Sequence, residues 1–97
     1  MKEIENDKGF KVLILSDDEC KAIGGDAICD HCNRHSSYGI YVAVLNHWIC
    51  PFCYKDWIER AHRYEEDIPI EEKNYNRISL IIKTHRSFIS LLTPNNN

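Results

Sequence analysis

Two Cys-x-x-Cys pairs, Cys29-Asp30-His31-Cys32 and Cys50-Pro51-Phe52-Cys53, stand 17 residues apart and limit this chain more than any other feature. A pair at this spacing turns two sulfurs toward one point, and two such pairs supply the four thiolates of a tetrahedral zinc ion. The site residues expected from the spacing are therefore Cys29, Cys32, Cys50 and Cys53, holding one Zn2+. Four protein ligands leave no position for water, so the metal is expected to be structural. A redox dithiol would normally occur once, in a thioredoxin-like order of elements. Iron also takes four thiolates, and ligand type alone does not separate it from zinc. His31 and His35 lie close enough in sequence to compete as ligands, but the sulfurs already fill the sphere. Cys20, the fifth cysteine, falls on a separate segment and reads as a small buried apolar residue.

An odd cysteine number argues against a secreted disulfide scaffold, and thiolate ligands need a reducing compartment, so a cytoplasmic protein is expected. The charged start Met1-Lys2-Glu3 is unlike a signal peptide, and Val12-Leu13-Ile14-Leu15 is too short to cross a membrane. With 97 residues, 43% of them hydrophobic, the chain has material for a single domain over 1–97. So small a core gains much from a metal staple. The formal charge of -3 has the wrong sign for a module that grips nucleic acid through its phosphates.

The fold class expected is α+β: a zinc core over about 27–66, with an N-terminal strand and a C-terminal amphipathic helix over about 71–92. Residues 1–9 read as a loose arm before a strand at Phe10–Leu15. Ser16 and Glu19 have capping-box spacing for a short helix to about Ile23, stopped by Gly24-Gly25. Tyr38–Leu45 reads as one arm of a β-hairpin that turns at Asn46-His47 and returns through Trp48-Ile49. Pro51 suits the first turn of a helix running to Tyr64, with Trp57, Ile58, Ala61 and Tyr64 or Glu65 along its inner boundary. After Pro69, residues Tyr75, Ile78, Ile82, His85, Ile89 and Leu92 recur at helical spacing, widened by Ile81 and Phe88. The β-branched content keeps a strand pair, Ile78–Ile82 with Phe88–Leu92, as the alternative. The tail from Pro94 reads as frayed.

Knuckle, hairpin and second knuckle at a helix entrance: this order resembles the treble-clef zinc fingers. Within them, Trp48-Ile49-Cys50-Pro51-Phe52-Cys53 followed by a helix resembles the N-terminal zinc domain of ClpX unfoldases. That resemblance implies a dimeric module that docks adaptors and substrates. The first strand and the last segment lie outside the pattern. Some treble clefs are His-metal nucleases, but these carry an acid–histidine dipeptide near the end of the first hairpin strand, where this chain has Val42-Ala43-Val44-Leu45. His47 and His62 would have to supply a histidine pair without a carboxylate.

No catalytic residues emerge: there is no Ser/His/Asp arrangement and no phosphate-cradling glycine loop. The expectation is a non-enzymatic protein-interaction module, adaptor or inhibitor, monomeric or homodimeric. Its aromatics, Tyr38, Tyr41, Trp48, Phe52, Tyr54 and Trp57, are divided between core and contact surface. Packing of the C-terminal stripe within the chain is favoured over self-pairing, with His85 as a satisfied, half-buried histidine. The alternative is a nucleic-acid-binding finger using Arg34, His35, Lys55, Arg60 and Arg63, opposed by Glu59, Glu65, Glu66 and Asp67 around the same helix.

Overall fold

The computed structural model describes residues 1–24 and 28–92, with side chains through Arg86 on the last helix. Four antiparallel strands, β1 (Lys2–Ile4), β2 (Val12–Ser16), β3 (Tyr38–Val42) and β4 (His47–Ile49), lie in the order β1-β2-β3-β4. Helix α1 (Asp17–Gly24) follows β2, α2 (Pro51–Arg60) follows β4, and α3 (Ile68–Leu92) closes the described chain. The α+β class, the N-terminal strand and the C-terminal helix match the sequence expectation. The strand-pair alternative is replaced by α3. Gly24 ends α1, while Gly25 and the tail from Pro94 lie outside the described residues.

The expected loose arm at residues 1–9 instead starts with β1, which pairs Lys2 with Ile14 and Ile4 with Val12. Asn6 closes the connecting turn. Its Oδ1 accepts from the N–H of Lys8 at 3.1 Å and of Phe10 at 3.0 Å, and its Nδ2 donates to the Phe10 carbonyl at 3.1 Å. Gly9 completes the reversal at φ 84°, a conformation that a Cβ disfavours. At the far end of β2, Ser16 Oγ accepts from the Glu19 N–H at 3.2 Å and Glu19 Oε1 accepts from the Ser16 N–H at 2.9 Å, forming the expected capping box. Glu19 also receives the Met1 amino group, 2.7 Å from both carboxylate oxygens.

Both faces of the sheet are covered. Leu13, Tyr41 and Trp48 are register partners across β2, β3 and β4, and they face Cys20 of α1 and Ile78 and Ile82 of α3. Alternation along the strands sends Val12, Val42 and Ile49 to the opposite side, where Phe10 packs on Trp57 of α2 at 4.9 Å between ring centroids. Gly39 is required by close approach: a Cβ there would come within 2.8 Å of the Cys20 sulfur and nearer still to the Trp48 ring.

Helix α2 ends at Arg60 rather than Tyr64, because Ala61 is extended (φ -72°, ψ 143°). Lys8 Nζ takes over the exposed end, donating to the carbonyls of Ala61 at 2.7 Å and Glu59 at 3.4 Å. Trp57, Ile58 and Ala61 line the inner side as expected, but Tyr64 is exposed and Glu65–Asp67 forms a short 3₁₀ turn. Pro69 sits inside α3, in the first turn, where its missing donor costs nothing. Ile78 and Ile82 are buried and Tyr75 and His85 half-buried, as the stripe predicts. Ile81 lies at the exposed margin, and Phe88, Ile89 and Leu92 have no described side chains. His85 Nε2 is 2.9 Å from Asp18 Oδ2, so α3 docks on α1 within the chain. No described helix is long and apolar enough to cross a membrane.

Candidate metal centre

The hairpin brings the cysteine pairs together. Ile49 ends β4, Cys50 caps α2 with its carbonyl accepting from the Tyr54 N–H at 2.9 Å, and Pro51 occupies the first helical position. Across from them, the first pair lies in a tight knuckle between the bridge partners Ile28 and His35. Within it the Cys29 N–H donates to the Arg34 carbonyl at 2.9 Å and the Asn33 N–H to the Cys29 carbonyl at 2.8 Å. Asn33 turns the chain at φ 60°, which Asn tolerates better than most residues. Cys29 and Cys50 are buried and Cys32 and Cys53 half-buried.

All four sulfurs, of Cys29, Cys32, Cys50 and Cys53, lie within 4.8 Å of one another. Cys32 Sγ and Cys50 Sγ are 3.7 Å apart. A tetrahedral ion with arms of about 2.3 Å has edges of about 3.8 Å, so this spacing fits one thiolate-bound ion. It is too long for a disulfide at about 2.05 Å, and all five cysteines are free. An iron–sulfur cluster sets its thiolates on different irons, which requires wider separations.

The protein also supplies donors to the sulfurs. Cys29 Sγ accepts from the N–H of Cys50 at 3.2 Å and of His31 at 3.4 Å. Burial opposes ionisation of Cys29, but the N–H groups of Cys50, Cys32 and His31 outweigh it and bring the thiol down to about 7. Cys53 is pushed well above the usual thiol range, by burial and by the neighbouring sulfurs that its proton serves. Four thiols at this spacing resist collective ionisation, and a divalent cation among them removes that resistance.

His31 and His35, the expected competitors, are outside the sulfur set. His31 turns its Nε2 to His47 Nε2 at 3.1 Å, a pairing that sequence reasoning missed. His47 opens β4 rather than sitting in the turn, and His62 stacks near Tyr64 at 6.4 Å between centroids, so the His47–His62 pair considered from sequence does not form. The signal was present in the proximity: His31 lies within the first cysteine pair and His47 three positions before the second, so the knuckle that meets Cys50 also brings His31 near His47. Burial pushes the His47 imidazole below its ordinary value, with Asp30 opposing and His31 adding to the effect.

Of the six aromatics singled out, Tyr41 and Trp48 are buried and Tyr54 and Trp57 pack partly against the core, whereas Tyr38 is 43% exposed and Phe52 83% exposed. Cys20 is fully buried and its thiol is pushed up to about 12, chiefly by burial, consistent with an apolar role. Among the cations assigned to phosphate contacts, Arg60 pairs with Asp56 at 2.8 Å and Arg63 with the buried Glu71 at 2.9 Å. No family model, curated protein or solved structure matches the chain.

Proposed function

We propose that this chain is a protein-interaction module whose contact surface is held in place by one structural zinc ion. The observation that carries the reading is the set of four sulfurs within 4.8 Å of one another, one pair of them at 3.7 Å, with the exposed Phe52 ring between two of the cysteines in sequence. Zinc suits four thiolates without a geometric preference of its own, and a sphere filled by protein has no place for a water to activate. On this reading the centre is architectural. Phe52 lies in the first turn of α2, beside a shallow groove that includes Asp30, His31, Arg34 and Arg60. A large ring held outward on an anchored turn, rimmed by charged and polar groups, has the makeup of an interface hot spot. The treble-clef and ClpX-like resemblance points the same way through the order knuckle, hairpin, helix. A set of unpaired metal-binding cysteines needs a reducing compartment, which supports a cytoplasmic reading.

Native mass spectrometry of protein purified without added metal tests the zinc half: one zinc per chain is expected, iron would change the ion, and a metal-free chain with α2 and the knuckle still folded would overturn the centre. The same spectrum reads monomer or homodimer. A photo-crosslinking residue at position 52, compared with one at the exposed Glu72, tests the surface half. Discrete protein adducts at 52 alone support it; equal labelling at both positions, or adducts to nucleic acid, would overturn it. The nucleic-acid reading stands second because Arg60 and Arg63 already have carboxylate partners.

A further inference from the structure

The function just described makes no use of the pairing of His31 with His47 beside the cysteine centre. His31 Nε2 and His47 Nε2 are 3.1 Å apart, with ring centroids at 5.1 Å and planes inclined at 67°. Metal–imidazole bonds are about 2.0–2.1 Å, so two nitrogens at this separation subtend roughly 95–102° at a shared ion. That angle falls between the cis angle of an octahedral or square site and the tetrahedral angle. The two rings arrive from different elements, one from the knuckle and one from the first residue of β4, whose register partner is Val42. Their approach is thus fixed by the hairpin, and an ion would meet ligands already in position, which lowers the ordering cost of binding. His31 is exposed and His47 half-buried, so the site opens to solvent and water can complete the sphere. Asp30 lies between them: it borders the hollow that includes His47 and the groove that includes His31, and it favours positive charge at the His47 ring.

We propose that His31 and His47 form a second, solvent-facing site for a divalent transition-metal ion of the imidazole-binding class, separate from the four-thiolate centre. Imidazole pairs suit Zn2+, Ni2+ and Cu2+, and none of the four cysteines takes part. In the ion's absence one ring donates an Nε2–H to the other; with the ion bound, both rings carry their proton on Nδ1 and both Nε2 lone pairs face the metal. The site depends neither on the identity of the ion among the sulfurs nor on the partner proposed for Phe52.

The test uses the full chain, free of a histidine tag and loaded with one zinc, titrated with Ni2+ as a paramagnetic probe while the imidazole signals are followed by NMR. At less than one equivalent, the signals of His31 and His47 should broaden while those of His35, His62 and His85 stay sharp. H31Q and H47Q should each lose the bound Ni2+ while native mass spectrometry shows the first zinc retained. Even broadening across all five histidines, no broadening, or undiminished Ni2+ binding by both variants would overturn the site and leave the pair a hydrogen bond only. If a variant fails to hold its zinc, the wild-type spectrum still decides between these outcomes.

Discussion

Removing the metal should unfold α2 and the knuckle while most of the sheet stays folded. Helix α2 has ten residues, no fully buried side chain and no side-chain cap. A helix this short is marginal in water. Its half-buried Tyr54, Trp57 and Ile58 are each worth about 1 kcal/mol, roughly half the value for complete burial. Its backbone has about six internal hydrogen bonds, each worth about 1 kcal/mol net. These total about 9 kcal/mol, against an ordering cost of about 10 kcal/mol at the low end of 1 kcal/mol per residue. The balance lies near zero, so anchoring through Cys50 and Cys53 decides it. By contrast, Val12, Leu13 and Leu15 of β2, Tyr41 and Val42 of β3 and Ile82 of α3 are fully or almost fully buried without touching the centre's chemistry. Hydrogen exchange read by mass spectrometry, with and without a strong chelator, checks this division. Peptides covering 28–36 and 50–60 should lose protection on chelation, and those covering 12–16, 38–42 and 75–82 should keep most of theirs. Uniform loss across all five segments would show that the metal holds the entire fold, and unchanged protection in 50–60 would show that α2 stands without it; either result refutes the reasoning.

Gly39→Ala should cost about 1–3 kcal/mol in a denaturant melt, the usual range for overpacking, because Trp48 and Cys20 leave no room for the methyl group. Acetylating the Met1 amino group should cost about 1–3 kcal/mol, since it leaves the almost buried Glu19 carboxylate without its cation. Burial raises the affinity of Glu19 for its proton, but the amino group and Ser16 outweigh it and hold the carboxyl below its ordinary value. The stability from Glu19 is therefore fully present above about pH 4.5 and disappears as pH falls through the lowered value; the acetylated protein should lose the amino group's share of this component, and keep that of Ser16, in a pH series of melts. Arg63→Gln should cost about 1–3 kcal/mol by the same assay, because Arg63 is partly exposed while Glu71 is 2% exposed and keeps only the Lys11 N–H at 3.0 Å. Glu71→Gln should cost less, since an amide tolerates burial better than an unpaired charge.

What could be read from the sequence was local. The cysteine spacing, the Ser16–Glu19 box, the turn at Asn46 and the buried pair Ile78 and Ile82 each depend on residues a few positions apart, within reach of helix and hairpin geometry. The features that escaped depend on partners brought together by topology. Strand β1 is only Lys2-Glu3-Ile4, too short and polar to signal a strand, and it exists because the free edge of β2 and the Asn6 turn accept it. The end of α2 at Arg60 is met by Lys8, some fifty positions earlier, which reaches the Ala61 carbonyl. Glu71 reads as one more charged residue of a polar stretch until Arg63 and the Lys11 N–H are seen to meet it.

These long-range contacts explain why the centre sits where it does. The sheet fixes β4 beside β3, with Ile49 opposite Ile40 and His47 opposite Val42. Cys50, the next residue after Ile49, therefore arrives with its N–H aimed at Cys29 Sγ. At the other end of α2, Lys8 from the β1–β2 turn holds the last carbonyls, so the helix carrying Cys53 and Phe52 is tied to the N-terminal hairpin as well as to the sulfurs. A metal ion held by the four cysteines would thus complete an arrangement that the sheet has largely set. The partner proposed for Phe52 should therefore sense the metal through α2, since the expected unfolding of that helix without the ion would free the turn where the ring is mounted.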